Sequence, residues 1–326
     1  MRSILITGGT GFLGSNLAAA LQGDGYRIRI HHRPASDPRT IAYLQVEHVV
    51  GDILDRESIH RAVDGCDTVF HTAAMVSHSA RDRDLVQTTN VVGTRNVVEA
   101  CLRAGVKRLV HVSSVAAVGS PPDGGIATEE TAFTWKGPPG YKLSKYYSEL
   151  EIADGIRRGL DAVIVNPSVI VGERDIHFHG GQLIRAARRG LLLFSVPGGM
   201  NIVYVGDVVR GMMQAAVKGK TGERYLLCGE NLTHKEIFTR TAKLVGGPSP
   251  VVQIPLPLLH TAASAVEAAC GLLGITPWLT TDLVANAGSN NWFSSEKAKK
   301  ELGYTVTPFD QAVLSALRWY RQNGLL

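Results

Sequence analysis

"SILITGGTGFLGSN", residues 3–16, decides how the rest of the chain reads. Its first five residues form a short apolar run that suits a buried strand. Four glycines follow at once, and Gly9, Gly11 and Gly14 keep a G-x-G-x-x-G spacing, with Gly8 as an extra. A helical pattern then runs from about Gly11 to Gln22. A glycine-rich tight turn is one reading. The position of the loop, straight after a strand and opening a helix, favours another. Such a turn brings backbone N–H groups and a helix N-terminus against a pyrophosphate, and its last glycine lets helix and sheet approach closely. Gly8, Gly11, Phe12, Leu13 and Gly14 are therefore candidate contacts for a dinucleotide.

Outward from this loop the same alternation repeats. Apolar runs at 26–32, 46–52, 67–74, 108–114 and 161–168 are separated by helical patterns at about 55–63, 84–104 and 140–158. Runs that are apolar throughout suit strands covered on both faces. The expectation is an α/β fold, a Rossmann-type doubly wound parallel sheet, over residues 1–168. After Pro167 the rhythm changes. Helical pieces at about 180–189, 206–217, 233–245, 256–273 and 308–323 are set among Gly- and Pro-rich loops, with "ERYLLCG" (223–229) as a returning strand. About 199–229 are expected to return to the first domain. About 169–198 and 230–326 are expected to form a smaller, mostly helical substrate domain.

The end of the second strand bears on which dinucleotide is held. Chains that bind NAD usually place an Asp or Glu there, on the ribose hydroxyls. Here "IHHRP" (30–34) offers no acid and puts Arg33 in its place. A guanidinium can pair with a 2′-phosphate, so the expectation is NADP(H), with NAD(H) possible. Arg33 could also simply face water. Asp52, followed by Ile53, closes the third strand, where its carboxylate could accept from the adenine amino group or cap the next turn.

"YKLSKYYSEL" (141–150) holds three tyrosines, of which only Tyr141 has a lysine four residues on, Lys145. Side chains at i and i+4 are neighbours on a helix. An ammonium at about 4 Å is worth about 4 kcal/mol at an effective dielectric of 20, or about three pKa units. That would bring a phenol from about 10 toward neutrality, against some opposing effect of burial. Such a phenol beside a nicotinamide is an acid or base for carbonyl and alcohol chemistry. "HVSSVAAVG" (111–119) supplies a second donor at the sheet edge where ligands bind, from Ser113 or Ser114 but not both, since they alternate sides.

Composition narrows the partners. The 326 residues are 44% hydrophobic and carry a net charge of +5. Basic pairs such as Arg157-Arg158 and Arg188-Arg189 are scattered, and aromatics are 6%, which does not make a nucleic-acid groove. Four cysteines without CxxC or Cys/His spacing argue against a metal site and fit a reducing, cytoplasmic compartment. No apolar run is clean enough to span a bilayer. The nearest, 254–275, reads as a packed helix or as a surface that touches membrane or greasy substrate.

Taken together, the glycine motif, "VSS" at a strand end and "YKLSK" resemble the extended short-chain dehydrogenase/reductase family (the NAD-dependent epimerase/dehydratase superfamily). "NVVGTRNVVEAC" (90–101), "NPSVIVGERD" (166–175), "VYVGDVVRGM" (203–212) and "FSSEKAKKELGY" (293–304) match its recurring segments, so the resemblance covers nearly the whole chain. The nearest branch is similar to dihydroflavonol reductases and hopanoid-associated sugar epimerases. The resemblance implies Tyr141 as proton donor or acceptor, Lys145 as its tuner and a ribose ligand, and Ser114 as the catalytic serine. It also implies Pro167 and Ser168 beside the nicotinamide, Ala73 and Ala74 beside the ribose, Arg33 on the 2′-phosphate, and a homodimer through the helices at 84–104 and 140–158.

Three functions fit this reading: an NADP-dependent reductase or dehydrogenase for a ketone or secondary alcohol, a nucleotide-sugar epimerase or dehydratase, and a non-catalytic nucleotide sensor. The intact Ser114, Tyr141 and Lys145 speak against the third. Sugar-nucleotide enzymes resembling this family often hold diphosphate with an arginine whose place here falls on Met200, or on Asn201 with a slip of one residue. Arg174, Arg185 and Arg188 could substitute for it. His177 and His179 read as substrate-loop contacts or plain loop polarity. The expected partner is a small, apolar ketone or alcohol.

Overall fold

The computed structural model describes residues 3–77, 79–121, 124–134, 137, 140–273, 281, 284 and 288–326. Its centre is a parallel sheet of seven strands: β1 (Ser3–Thr7), β2 (Arg27–His32), β3 (Glu47–Val50), β4 (Thr68–His71), β5 (Arg108–Val112), β6 (Ala162–Pro167) and β10 (Arg224–Leu227), in the order β10-β6-β5-β4-β1-β2-β3. The order reverses direction between β1 and β4, which opens a crevice at the strands' carboxyl ends. Leu5, Ile6, Val69, Leu109, Val110 and Val163 are fully buried, as expected for strands covered on both sides.

Helices α1 (Phe12–Leu21) and α7 (Val205–Lys218) cover one face, and α2 (Arg56–Val63), α4 (Gly93–Ala104) and α5 (Tyr141–Arg157) the other. Helix α3 (Arg83–Gln87) runs through a π turn, Thr88–Val92, into α4, so the long helix expected at 84–104 is one rod with a local widening.

The chain crosses between domains differently from the expected boundaries. Helix α7 and β10 return to the large sheet, but "GMNIVY" does not. It forms β9 (Gly199–Tyr204) in a second sheet, pairing in parallel with β7 (Val169–Val171) and β13 (Asn290–Asn291) and antiparallel with β11 (Glu230–Thr233). The returning segment thus begins at about 205 rather than 199. The last helices divide too. Ala298 and Leu302 of α10 (Glu296–Leu302) lie in the core of the large sheet with Tyr304, whereas α11 (Phe309–Gln322) buries Phe309, Val313 and Tyr320 in the smaller domain. That smaller domain carries more strand than its sequence suggested. It also holds α6 (Gln182–Arg188), α8 (His234–Val245), α9 (Leu256–Leu273) and a two-stranded ribbon of β8 (Phe194–Ser195) and β12 (Val252–Gln253).

Candidate active site

The glycine loop joins β1 to α1, with Gly11 as the N-cap and no side chain capping the helix, so the first N–H groups of α1 are left for another acceptor. Gly8 takes a left-handed φ of 70° and its N–H donates to the His31 carbonyl at 3.0 Å. A Cβ on Gly8 would lie 2.7 Å from the Ala73 backbone, and one on Gly14 would lie 2.5 Å from the Gly8 carbonyl oxygen. Side chains are therefore excluded where backbone must approach, which fits a dinucleotide pyrophosphate in this cradle. Leu13 packs on the core, and the Phe12 carbonyl accepts from Asn16 Nδ2 at 2.8 Å.

Around the loop lie the other expected cofactor positions. Arg33 directly follows β2 and is exposed. Asp52 accepts from the Leu54 N–H at 2.9 Å, so one carboxylate oxygen caps the following turn. Ile53 is buried, and its carbonyl accepts from Asn96 Nδ2 at 2.9 Å. Ala73 and Ala74 follow β4 at the mouth of the crevice, the Ala73 N–H 3.4 Å from Thr7 Oγ1. Pro167 ends β6, and Ser168 donates to Asn201 Oδ1 at 2.6 Å.

Ser114 caps a short 3-10 turn, its Oγ accepting from the Ala116 N–H at 3.1 Å. Tyr141 opens α5, and its hydroxyl hydrogen-bonds the Ser114 side chain. Lys145, one turn on, is 3% exposed and donates from Nζ to the Val112 carbonyl at 2.8 Å. Burial holds its pKa down to about 8 against the raising effect of Glu149. The expected tuning of the phenol is not what this arrangement shows. Burial pushes the Tyr141 hydroxyl above its ordinary 10, and the Ser114 hydrogen bond opposes this in part. The i,i+4 spacing is right, but the ammonium is directed to a backbone carbonyl at the end of β5. The other two tyrosines differ: Tyr146 stacks on Phe133 with ring centres 4.4 Å apart, and Tyr147 is exposed.

Behind these residues is a buried polar network that no local motif announced. Glu149, 3% exposed, accepts from Asn166 Nδ2 at 2.7 Å and pairs with the Arg224 guanidinium. Asn166 Nδ2 also donates to the Ser114 carbonyl at 2.9 Å. One carboxylate thus ties the helix bearing Tyr141 and Lys145 to β6, β10 and the Ser114 turn. Asn90, in the π turn, clamps the Met75 backbone from both sides and donates to Ser144 Oγ at 2.8 Å. The partners are 15 to 75 residues apart, so spacing could not reveal them. The only signal was the presence of Asn90 and Asn166 in segments resembling a family.

On the substrate side, Met200 packs into the hydrophobic cluster of the smaller domain. Asn201 is buried, its amide donating to the Gly229 carbonyl and Asn231 Oδ1. Arg174, at φ 66°, donates to the Tyr43 hydroxyl at 2.6 Å, and Arg185 lies over the Phe178 ring. His177 and His179 meet edge to face in a loop that buried Asp175 holds by accepting from the N–H groups of His179, Gly180 and Gly181.

The chain and its fold have counterparts among known proteins. Residues 4–228 match the profile of the NAD dependent epimerase/dehydratase family. A Synechocystis protein described as a candidate dihydroflavonol 4-reductase is 36% identical, the match covering 98% of this chain and 94% of that one. Sterol demethylase protein B of Methylococcus capsulatus is 35% identical, covering 99% of both chains. The solved structure of gox2253 superposes over 100% of both chains, with a TM-score of 0.90 and 40% identity. With its glycine cradle, seven-stranded parallel sheet and second domain, the chain belongs to the NAD-dependent epimerase/dehydratase family, the extended short-chain dehydrogenases/reductases, an enzyme family that works with NAD(P).

Proposed function

We propose that the protein is an NADP-dependent oxidoreductase that interconverts an apolar ketone and its secondary alcohol. The observation that carries the choice is the environment of Met200 and Asn201. Met200 is packed among apolar side chains, and Asn201 spends its amide on Ser168, Gly229 and Asn231. Neither offers charge to a diphosphate; Arg174 and Arg185 are engaged with Tyr43 and Phe178, and Arg188 is exposed at the end of α6. The relatives named for dihydroflavonol reduction and sterol demethylation point the same way.

In this reading the glycine loop, Ala73, Ala74, Pro167 and Ser168 hold the dinucleotide, Arg33 its 2′-phosphate and Lys145 its ribose. When bound, the nicotinamide supplies the hydride. Tyr141 gives its hydroxyl proton to the carbonyl oxygen as that oxygen becomes an alkoxide, and Ser114 donates a hydrogen bond to the same oxygen. Solvent returns the proton to the phenolate that remains. In the oxidative direction Tyr141 takes the alcohol proton. Tyr147 and Leu150, exposed on α5, supply apolar surface for a homodimer.

NADPH oxidation with a panel of aromatic and alicyclic ketones tests the reading, and turnover of at least one apolar ketone is expected. Calorimetric binding of UDP or UDP-sugars at mid-micromolar affinity, without added NADP, would overturn it in favour of a nucleotide-sugar epimerase.

A further inference from the structure

The ribbon of β8 and β12 is unusual in what it shows to water. Phe194 and Val252 pair in register and are 57% and 51% exposed. The residues before them, Leu193 and Val251, are joined by a 3.0 Å hydrogen bond, and Val251 is 82% exposed. Successive residues of an extended chain point to opposite sides. Phe194 and Val252 thus form one open apolar face of the ribbon, while on the other face Ser195 is buried and Gln253 is polar. Leu191, just before it, and Leu258, in the first turn of α9, extend the surface at 67% and 63% exposure.

Within the two chain segments that carry this surface the charges have one sign. Residues 176–206 contain Arg185, Arg188 and Arg189 and no Asp or Glu, and residues 244–266 contain no Asp, Glu, Lys or Arg at all. Arg185 lies over the Phe178 ring, whereas Arg188 and Arg189 are exposed and make no ion pair among the described residues. A Cβ on Gly190 would lie 3.4 Å from Pro248 Cγ, which places the arginine end of α6 beside the approach to β12. None of the described helices is long and apolar enough to cross a membrane.

We propose that this ribbon and the start of α9 dock the protein on an anionic lipid bilayer, with the apolar tip in the headgroup–acyl boundary and the arginines against lipid phosphates. Apolar side chains flanked by guanidinium groups and free of carboxylates are what an anionic interface selects. The proposal does not depend on the oxidoreductase reading.

Cosedimentation of the full chain with vesicles tests it. Binding to vesicles of equal parts phosphatidylglycerol and phosphatidylcholine should exceed binding to phosphatidylcholine alone by about tenfold, and should weaken with salt. Phe194→Ser/Val252→Ser should lower binding to the anionic vesicles by about tenfold, and Arg188→Glu/Arg189→Glu should remove the preference for them. Nucleotide affinity and thermal midpoint serve as controls for folding. Should a double variant fail to fold, Phe194→Trp in the otherwise intact chain gives a second readout, with fluorescence quenched by brominated lipid in anionic vesicles. No vesicle binding, unchanged binding of the Phe194→Ser/Val252→Ser variant, or no quenching would overturn the proposal. So would a dimer that this variant breaks while vesicle binding persists, because the ribbon would then be an interface between copies.

Discussion

Arg33 and Tyr141 carry the proposed chemistry on single side chains. Arg33 is exposed directly after β2, and in the proposed reading it pairs with the 2′-phosphate. NADPH should bind at least about tenfold more tightly than NADH, and Arg33→Ala should narrow that gap by about 10–100-fold, the worth of one charge-assisted contact. Titration by nicotinamide fluorescence measures both, and equal affinities in the unaltered protein would count against NADP. Tyr141→Phe should lower turnover by about 10²–10⁴ with little change in nucleotide affinity, because it removes only the transferable proton. Full activity in that variant would leave the phenol a structural partner of Ser114. Burial places the pKa of Lys145 at about 8. An NMR titration of ¹³Cε-labelled lysine, assigned with Lys145→Ala, should show one resonance titrating near that value. Glu149→Gln should move it lower, since the carboxylate is what raises it.

Helix α5 is oriented less by its own sequence than by what Glu149 grips. Its carboxylate joins Asn166 on β6 and Arg224 on β10, and burial pushes its pKa up while Arg224 opposes this. Arg224→Met leaves that charge buried without its partner, a loss of about 3–5 kcal/mol. The double variant Glu149→Gln/Arg224→Met removes both charges and should recover much of the loss. Urea unfolding of the three proteins checks this. If the double variant is as unstable as Arg224→Met, the cost lies in lost packing of the arginine stem and not in the stranded charge. Most helices and strands of the large sheet fall within a residue or two of where apolar periodicity puts them. The strands β7, β9 and β11 are different: three to six residues long, they have no period of their own and exist because they pair with one another.

The molecule as a whole carries a row of buried histidines across its main sheet. His31 on β2 and His71 on β4 flank Thr7 of β1 in register, and His111 on β5 pairs with His71. Burial lowers His31 to about 4 and His71 to about 3, and pushes His111 well below its ordinary value. All three are neutral in the folded protein near pH 7. Between pH 6.5 and about 4 the unfolded chain binds protons that the folded chain refuses. Stability therefore falls as pH falls through that window, by up to about 1.4 kcal/mol per pH unit for each histidine. Urea midpoints should drop steadily from pH 7 to pH 4.5, and His31→Gln should flatten the slope. A midpoint independent of pH over that range would mean that the histidines take up protons without unfolding.

Residues 3–16 and 141–145 determined much by themselves. A strand, a glycine turn and a helix N-terminus are local, and so is the i,i+4 spacing of Tyr141 and Lys145. They were enough to announce a nucleotide fold and two candidate catalytic groups. What they could not decide was electrostatic and long-range. Lys145 points at the Val112 carbonyl because β5 ends there, and the phenol rises because neighbouring elements bury it. Met200 packs among apolar side chains and Asn201 bonds Gly229 and Asn231 because β9 pairs with β7 and β11 in a second sheet. The desolvation of a charge and the direction of a side chain depend on elements distant in sequence, and those come together only when the chain has folded.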